Sequence, residues 1–128
     1  MRLWTFALLV SFLWLAIALA EDQSKPISPA EAAKKVNDEV TVRMQVKSAA
    51  LRGGVCFLNS EEDFRNTNNF TIFIDKKSLA KFKETKIDDP AAHFQGKTVQ
   101  VQGKVMLYRD RPEIKLSGPD AIKVVEQK

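Results

Sequence analysis

One cysteine, one histidine and one tyrosine stand among 128 residues, with only five glycines and five prolines. A single cysteine excludes an intramolecular disulfide, so packing alone has to hold the core. His93 lies far in sequence from Cys56, and no serine or cysteine is paired with it in a pattern that suggests an activated nucleophile. Cys56 reads as a small buried hydrophobe and His93 as a surface or capping residue. Charge of one sign is lacking as well. The 20 Lys+Arg against 16 Asp+Glu leave +4, so attraction to an anionic partner has to come from a local patch. Glu61-Glu62-Asp63 has neither the glycine nor the ligand spacing of a calcium loop, and Asp88-Asp89 reads as helix capping. No separated acidic set of the kind a metal-dependent nuclease needs is found. The expectation is a protein without catalytic residues, metal or cofactor, and too short for a large multistep enzyme.

What is abundant comes first in the chain. Met1-Arg2 is followed by a run from Leu3 to Leu19 that is apolar apart from Thr5 and Ser11. Ala18-Leu19-Ala20 then supplies small residues before Glu21-Asp22. This is the anatomy of a secretory signal peptide over residues 1–20. A retained anchor is the alternative, since the run is near the lower limit for a spanning helix, and membrane association is expected only in that case. Removing residues 1–20 from the 128 leaves 108 and takes Arg2, lowering the charge from +4 to +3. The expected location is secreted or periplasmic. Residues 21–27 read as a polar tether and 28–128 as one domain.

Ser28-Pro29-Ala30-Glu31 is a capping box with proline at the first helical position, predicting a helix from Pro29 to about Val36. The period then falls to two: Val40, Val42, Met44 and Val46 alternate with Thr41, Arg43, Gln45 and Lys47. Gly53-Gly54 breaks this strand, Val55 to Asn59 resumes it, and Ser60 to Asn69 forms a loop. Phe70, Ile72 and Ile74 share one side of a third strand. Lys77 to Thr85 reads as a short helix, with a further turn after Asp89-Pro90. Val99, Val101, Val105 and Leu107 define a fourth strand, interrupted on its apolar side by Gly103. Asp110-Arg111 suggests a tight turn before a fifth strand at Ile114 and Leu116, and Ile122 to Val125 closes the chain. Short alternating strands must hide one face, and a curled sheet does so economically. The expected fold is mainly β: a five-stranded OB-fold barrel with a short helix between strands three and four and an N-terminal helix. A flat sheet with helices on one face is the alternative.

Phe57-Leu58-Asn59 after Gly53-Gly54, Phe70-Thr71-x-Phe73-Ile74, Gly96-Lys97-Thr98-Val99, Gly103-Lys104-Val105, and Tyr108-Arg109 with Arg111-Pro112-Glu113-Ile114 form an ordered series. It resembles the OB-fold nucleic-acid-binding superfamily, in particular small secreted bacterial members of largely unassigned function and the anticodon-binding type of OB domain. The resemblance spans about Glu39 to Val125. Ser60 stands where similar sequences often carry an aromatic, and Asp110 where they often carry glycine.

Binding of a single strand on such a fold needs cations for phosphates and aromatic faces for bases. The candidates are Arg43, Lys47, Arg52, Phe73, Lys76, Lys77, Tyr108, Arg109 and Arg111. Each has an ordinary alternative. Phe73 packs under a helix or loop, the lysines solvate a helix face, and Arg109 and Arg111 neutralise Asp110 and Glu113. The expected function is non-catalytic, sequence-tolerant binding of single-stranded DNA or RNA, with an envelope protein, peptide or glycan as the alternative partner. Asn69-Phe70-Thr71 matches a glycosylation triplet, but Phe70 reads as the start of a strand and the match as chance.

Overall fold

The computed structural model describes residues 25–126. The expected signal segment and residues 21–24 of the tether lie outside the described residues. Among those described, no helix is long and apolar enough to cross a membrane.

Strand β1 (Pro26–Ile27) pairs parallel with β2 (Glu39–Gln45), so the end of the expected tether is part of the sheet. Between them, Ser28 caps α1 (Pro29–Ala32). The Glu31 N–H donates to Ser28 Oγ, and the Ser28 N–H donates to the Glu31 carboxylate, each at 3.1 Å. The helix stops after one turn rather than reaching Val36, and Ala32 is buried.

The remaining elements are β3 (Ser48–Arg52), β4 (Val55–Asn59), β5 (Thr71–Ile74), α2 (Lys76–Glu84), α3 (Pro90–Phe94), β6 (Thr98–Tyr108), β7 (Arg111–Lys115), a 3-10 turn (Pro119–Ala121) and β8 (Ile122–Val125). They form one mixed sheet in the order β1-β2-β6-β7-β5-β4-β3, with β8 on β6. Only β1–β2 and β5–β7 are parallel. Eight strand segments thus stand where five were expected. The first expected strand divides at Val46-Lys47. There the Val46 N–H donates to Lys97 O at 2.9 Å and the Lys47 N–H to Asn59 O at 3.0 Å. Within two residues the chain leaves β6 and joins β4. The tight turn falls at Arg109-Asp110 rather than Asp110-Arg111, because Tyr108 and Arg111 are register partners.

The period-two residues do face inward. Val42, Val46, Leu58, Phe70, Ile72, Ile74, Val99, Val101, Val105, Ile114 and Leu116 are fully buried. Burial of each such side chain stabilises by about 1.5–3 kcal/mol. Gly103 lies on that inner side, where a Cβ would come within 2.5 Å of Ile114 Cγ2. Its absent side chain makes room for Ile114. Helices α2 and α3 add Phe82 and Phe94, packed edge-to-face with centroids 6.2 Å apart.

Candidate nucleic-acid interface

Inward burial of one residue parity leaves the other parity outside, and register decides which of those residues meet. Ala50, Phe57, Phe73 and Lys115 form one outer row across β3, β4, β5 and β7. The next row is Ser48, Asn59, Thr71, Glu113 and Met106. Directly opposite residues on one face interact. Phe57 and Phe73 accordingly lie side by side, both half-buried, with ring centroids 5.4 Å apart and a 40° tilt. Phe73 thus keeps part of its ring exposed beside Phe57.

Cations flank this pair at the α2 end. Gly53 and Gly54, at φ 65° and 82°, make the two-residue turn between β3 and β4, a conformation that favours glycine. Arg52 is exposed beside the turn, and the Lys76 side chain lies over it, 2.9 Å from where a Gly54 Cβ would stand. Lys76 and Lys77 occupy the first turn of α2, both exposed. The cap of that helix, Asp75, accepts from the Ser78 N–H at 2.9 Å and pairs with Lys115 Nζ at 3.4 Å. The Ser78 amide, and after it Lys115, hold the Asp75 carboxyl below the usual carboxylate range.

The opposite end is organised differently. Arg111 donates through Nη1 to Phe64 O (2.9 Å) and Asn66 O (3.4 Å), and through Nη2 to Arg65 O (3.1 Å). It ties the 60–69 loop to the β6–β7 hairpin and pairs with neither Asp110 nor Glu113. Among the described residues the ion pairs are Arg65–Asp63 and Lys115–Asp75. Arg109 and Asp110 both carry positive φ, 53° and 64°. The Arg109 guanidinium lies 5.3 Å from the ring centroid of Tyr108, itself 57% exposed.

A buried polar network fastens the same loop from below. Asn69 Nδ2 donates to Thr71 Oγ1 and Asn59 Oδ1, the Glu61 N–H donates to Asn69 Oδ1, and Ser48 Oγ donates to Glu61 O. Asn69 is 6% exposed with both polar atoms engaged, so the glycosylation triplet presents no accessible acceptor.

Arg43 and Lys47 do not join the aromatic row. Arg43 sits opposite Gln100 on β6 and donates to its Oε1 at 3.0 Å. Lys47 is exposed at the bend after β2. Cys56 is buried, its thiol pushed up to about 12 by burial first and Asp89 second, so it supplies no thiolate. Burial also raises the Glu113 carboxyl, with Lys115 pulling the other way.

Phe57, Lys115 and Glu113 complete the face yet were not among the expected site residues. In Val55-Cys56-Phe57-Leu58-Asn59 both parities are apolar until Asn59, so alternation gives no sign of which side faces out. The Phe57–Phe73 pairing depends on cross-strand register, which one strand's pattern does not contain.

No protein-family model matches the chain, and neither does any curated protein sequence. Solved structures do. A putative aspartyl-tRNA synthetase from Leishmania major Friedlin is similar at TM-score 0.52 and 14% identity, over 82% of this chain and 21% of that one. Asparaginyl-tRNA synthetase from Pyrococcus horikoshii gives 0.52 and 16%, over 80% and 23%. An OBody, AM1L10, bound to hen egg-white lysozyme gives 0.55 and 17%, over 79% of this chain and 93% of that one. The chain thus spans about a fifth of the synthetases and nearly the whole OBody. At these identities the likeness is one of fold alone.

Proposed function

We propose that this chain is an exported OB-type barrel whose outer β4–β5 face binds single-stranded nucleic acid without catalysis. The ends of the β2-to-β3 sheet path meet through Val46-Lys47, which is how a five-stranded barrel would arise from these segments. The carrying observation is the Phe57–Phe73 pair, half-exposed and side by side, with Arg52, Lys76 and Lys77 at one edge. Two adjacent rings offer a stacking platform, each worth about 1–3 kcal/mol per base, and free cations follow the phosphates. The synthetases sharing the fold are enzymes of tRNA by name, and this domain-sized chain matches a fifth of them. Fluorescence anisotropy of the purified protein with labelled single-stranded DNA and RNA tests the reading. Saturable binding that weakens linearly with log salt is expected. Absence of binding at low salt by a folded protein contradicts it.

Protein docking is the second reading, and it rests on the hairpin end. Phe64, Leu107 and Tyr108 are 58%, 52% and 57% exposed there, beside Glu62 and Asp110. The OBody of like fold is itself bound to a protein, lysozyme. Under this reading an envelope protein or peptide occupies the hairpin end, and binding depends little on salt.

A further inference from the structure

A groove of about 710 Å³ runs between α1, the end of β2 and the 60–69 loop. Lys34, Arg43 and Lys47 line it from one side and Glu61 from the other, with Asn68 and Asn69 along the loop. The ammonium groups of Lys34 and Lys47 have no hydrogen-bond or ion-pair partner, and Arg43 is bonded only to the neutral Gln100. Glu61 is the one carboxylate among the lining residues, and its side chain makes no bond. The lining thus carries three cations against one anion. The excess of positive charge attracts an anion, and its open form admits a chain rather than enclosing a small molecule.

This groove adjoins the aromatic face. Lys47 directly precedes Ser48, which shares an outer row with Asn59, Thr71 and Glu113. Pro112 lines the groove and precedes Glu113. Asn69 lines it too, while its side chain donates to Thr71 on the face. A strand leaving the Phe57–Phe73 row along the β3 edge, past Ala50 and Ser48, therefore arrives at the groove mouth beside Lys47.

We infer that the groove is a second contact site, taking the phosphodiester backbone of the same single strand after it leaves the aromatic row. The inference rests on the nucleic-acid reading above and extends its footprint. The groove contributes charge and no stacking, since no aromatic side chain lines it. Arg43 and Lys47 are then binding residues, as their sequence positions suggested, but at a different place from Phe73.

The test compares a thymidine tetranucleotide with a dodecanucleotide by fluorescence anisotropy across a salt series, both within the range of footprints OB folds accommodate. Each phosphate contact on a single strand contributes about 0.7 to the log–log salt slope. With the unaltered protein the dodecamer should bind about tenfold tighter than the tetramer and show a slope steeper by about 1–2. Lys34→Gln with Lys47→Gln should bring the dodecamer close to the tetramer in both respects and leave the tetramer unchanged. Glu61→Gln should strengthen the dodecamer alone. Equal dodecamer slopes in the unaltered and doubly substituted proteins, with tetramer binding intact, overturn the groove while sparing the aromatic face. Failure of both oligonucleotides to bind overturns the face reading and the groove with it. An inorganic polyphosphate should lose slope on the same double substitution, leave the tetramer undisturbed and weaken the dodecamer; a polyphosphate that fills the groove without weakening the dodecamer also overturns the inference, by marking the groove as independent of the face. Circular dichroism of each variant establishes that the substitutions leave the fold intact.

Discussion

The two ends of the outer β4–β5 face contain similar residue types and use them in opposite ways. At the α2 end, Arg52, Lys76 and Lys77 are exposed without partners, and Lys115 alone is paired, to Asp75. At the hairpin end, Arg111 is committed to three loop carbonyls, Arg65 to Asp63, and Arg109 to the face of Tyr108. Arginine there holds two loops together, whereas at the α2 end basic residues remain free for an anion. Cations in a binding fold have to be counted by what they already touch.

The largest effect expected at this face comes from its centre. Phe57→Ala with Phe73→Ala should remove two stacking surfaces and weaken single-strand binding by about 1–3 kcal/mol per lost base contact, read from Kd by anisotropy. Unchanged affinity would move the site to the hairpin end. Next is Arg111→Met, which releases the 60–69 loop. It should lower unfolding stability by about 1–2 kcal/mol, seen as a Tm drop of roughly 4–8 °C per kcal/mol, with little change in affinity. The opposite pattern, affinity lost and Tm kept, would make Arg111 a phosphate ligand and erase the contrast between the ends.

Charge at the α2 end should have a smaller effect with a defined signature. Arg52→Gln and Lys76→Gln should each flatten the log–log salt slope by about 0.7, whereas Arg65→Gln, whose charge is already paired, should not. Equal slopes for all three would show that pairing does not decide availability.

The smallest effect concerns Glu113. Its carboxyl titrates above the ordinary range, so the folded state favours the protonated form. The resulting penalty is absent at low pH, develops as pH rises past the ordinary carboxylate value, and is complete above the raised one. Glu113→Gln should therefore stabilise the protein at neutral pH by less than about 1 kcal/mol, the group being half-exposed, and the gain should vanish near about pH 4. It should also slightly strengthen binding by removing a negative charge from the face.

Much of the fold was legible because β2, β5 and β6 each hide one parity, and Val40 to Val46 or Val99 to Val105 announce it by alternation. The capping box at Ser28 was equally readable, since it is a local bond pattern four residues long. The early end of α1 was not legible, because nothing in the sequence from Ala33 to Val36 marks a stop. The site was legible in part: Phe73 falls out of phase with Ile72 and Ile74 within one strand. Its partner Phe57 was hidden by Cys56 and Leu58, apolar neighbours that blur the period. Arg111 was misleading for another reason. Asp110 and Glu113 stand beside it in sequence, while its partners at 64–66 lie more than forty residues away.

Chemical-shift mapping by NMR during titration with a single-stranded oligonucleotide tests the central claim most directly. The account predicts that the largest amide shifts fall at Gly54, Phe57, Phe73, Lys76 and Lys115, around the paired rings and the free cations. Shifts confined to Phe64, Leu107 and Tyr108, or none at saturating oligonucleotide, would contradict it.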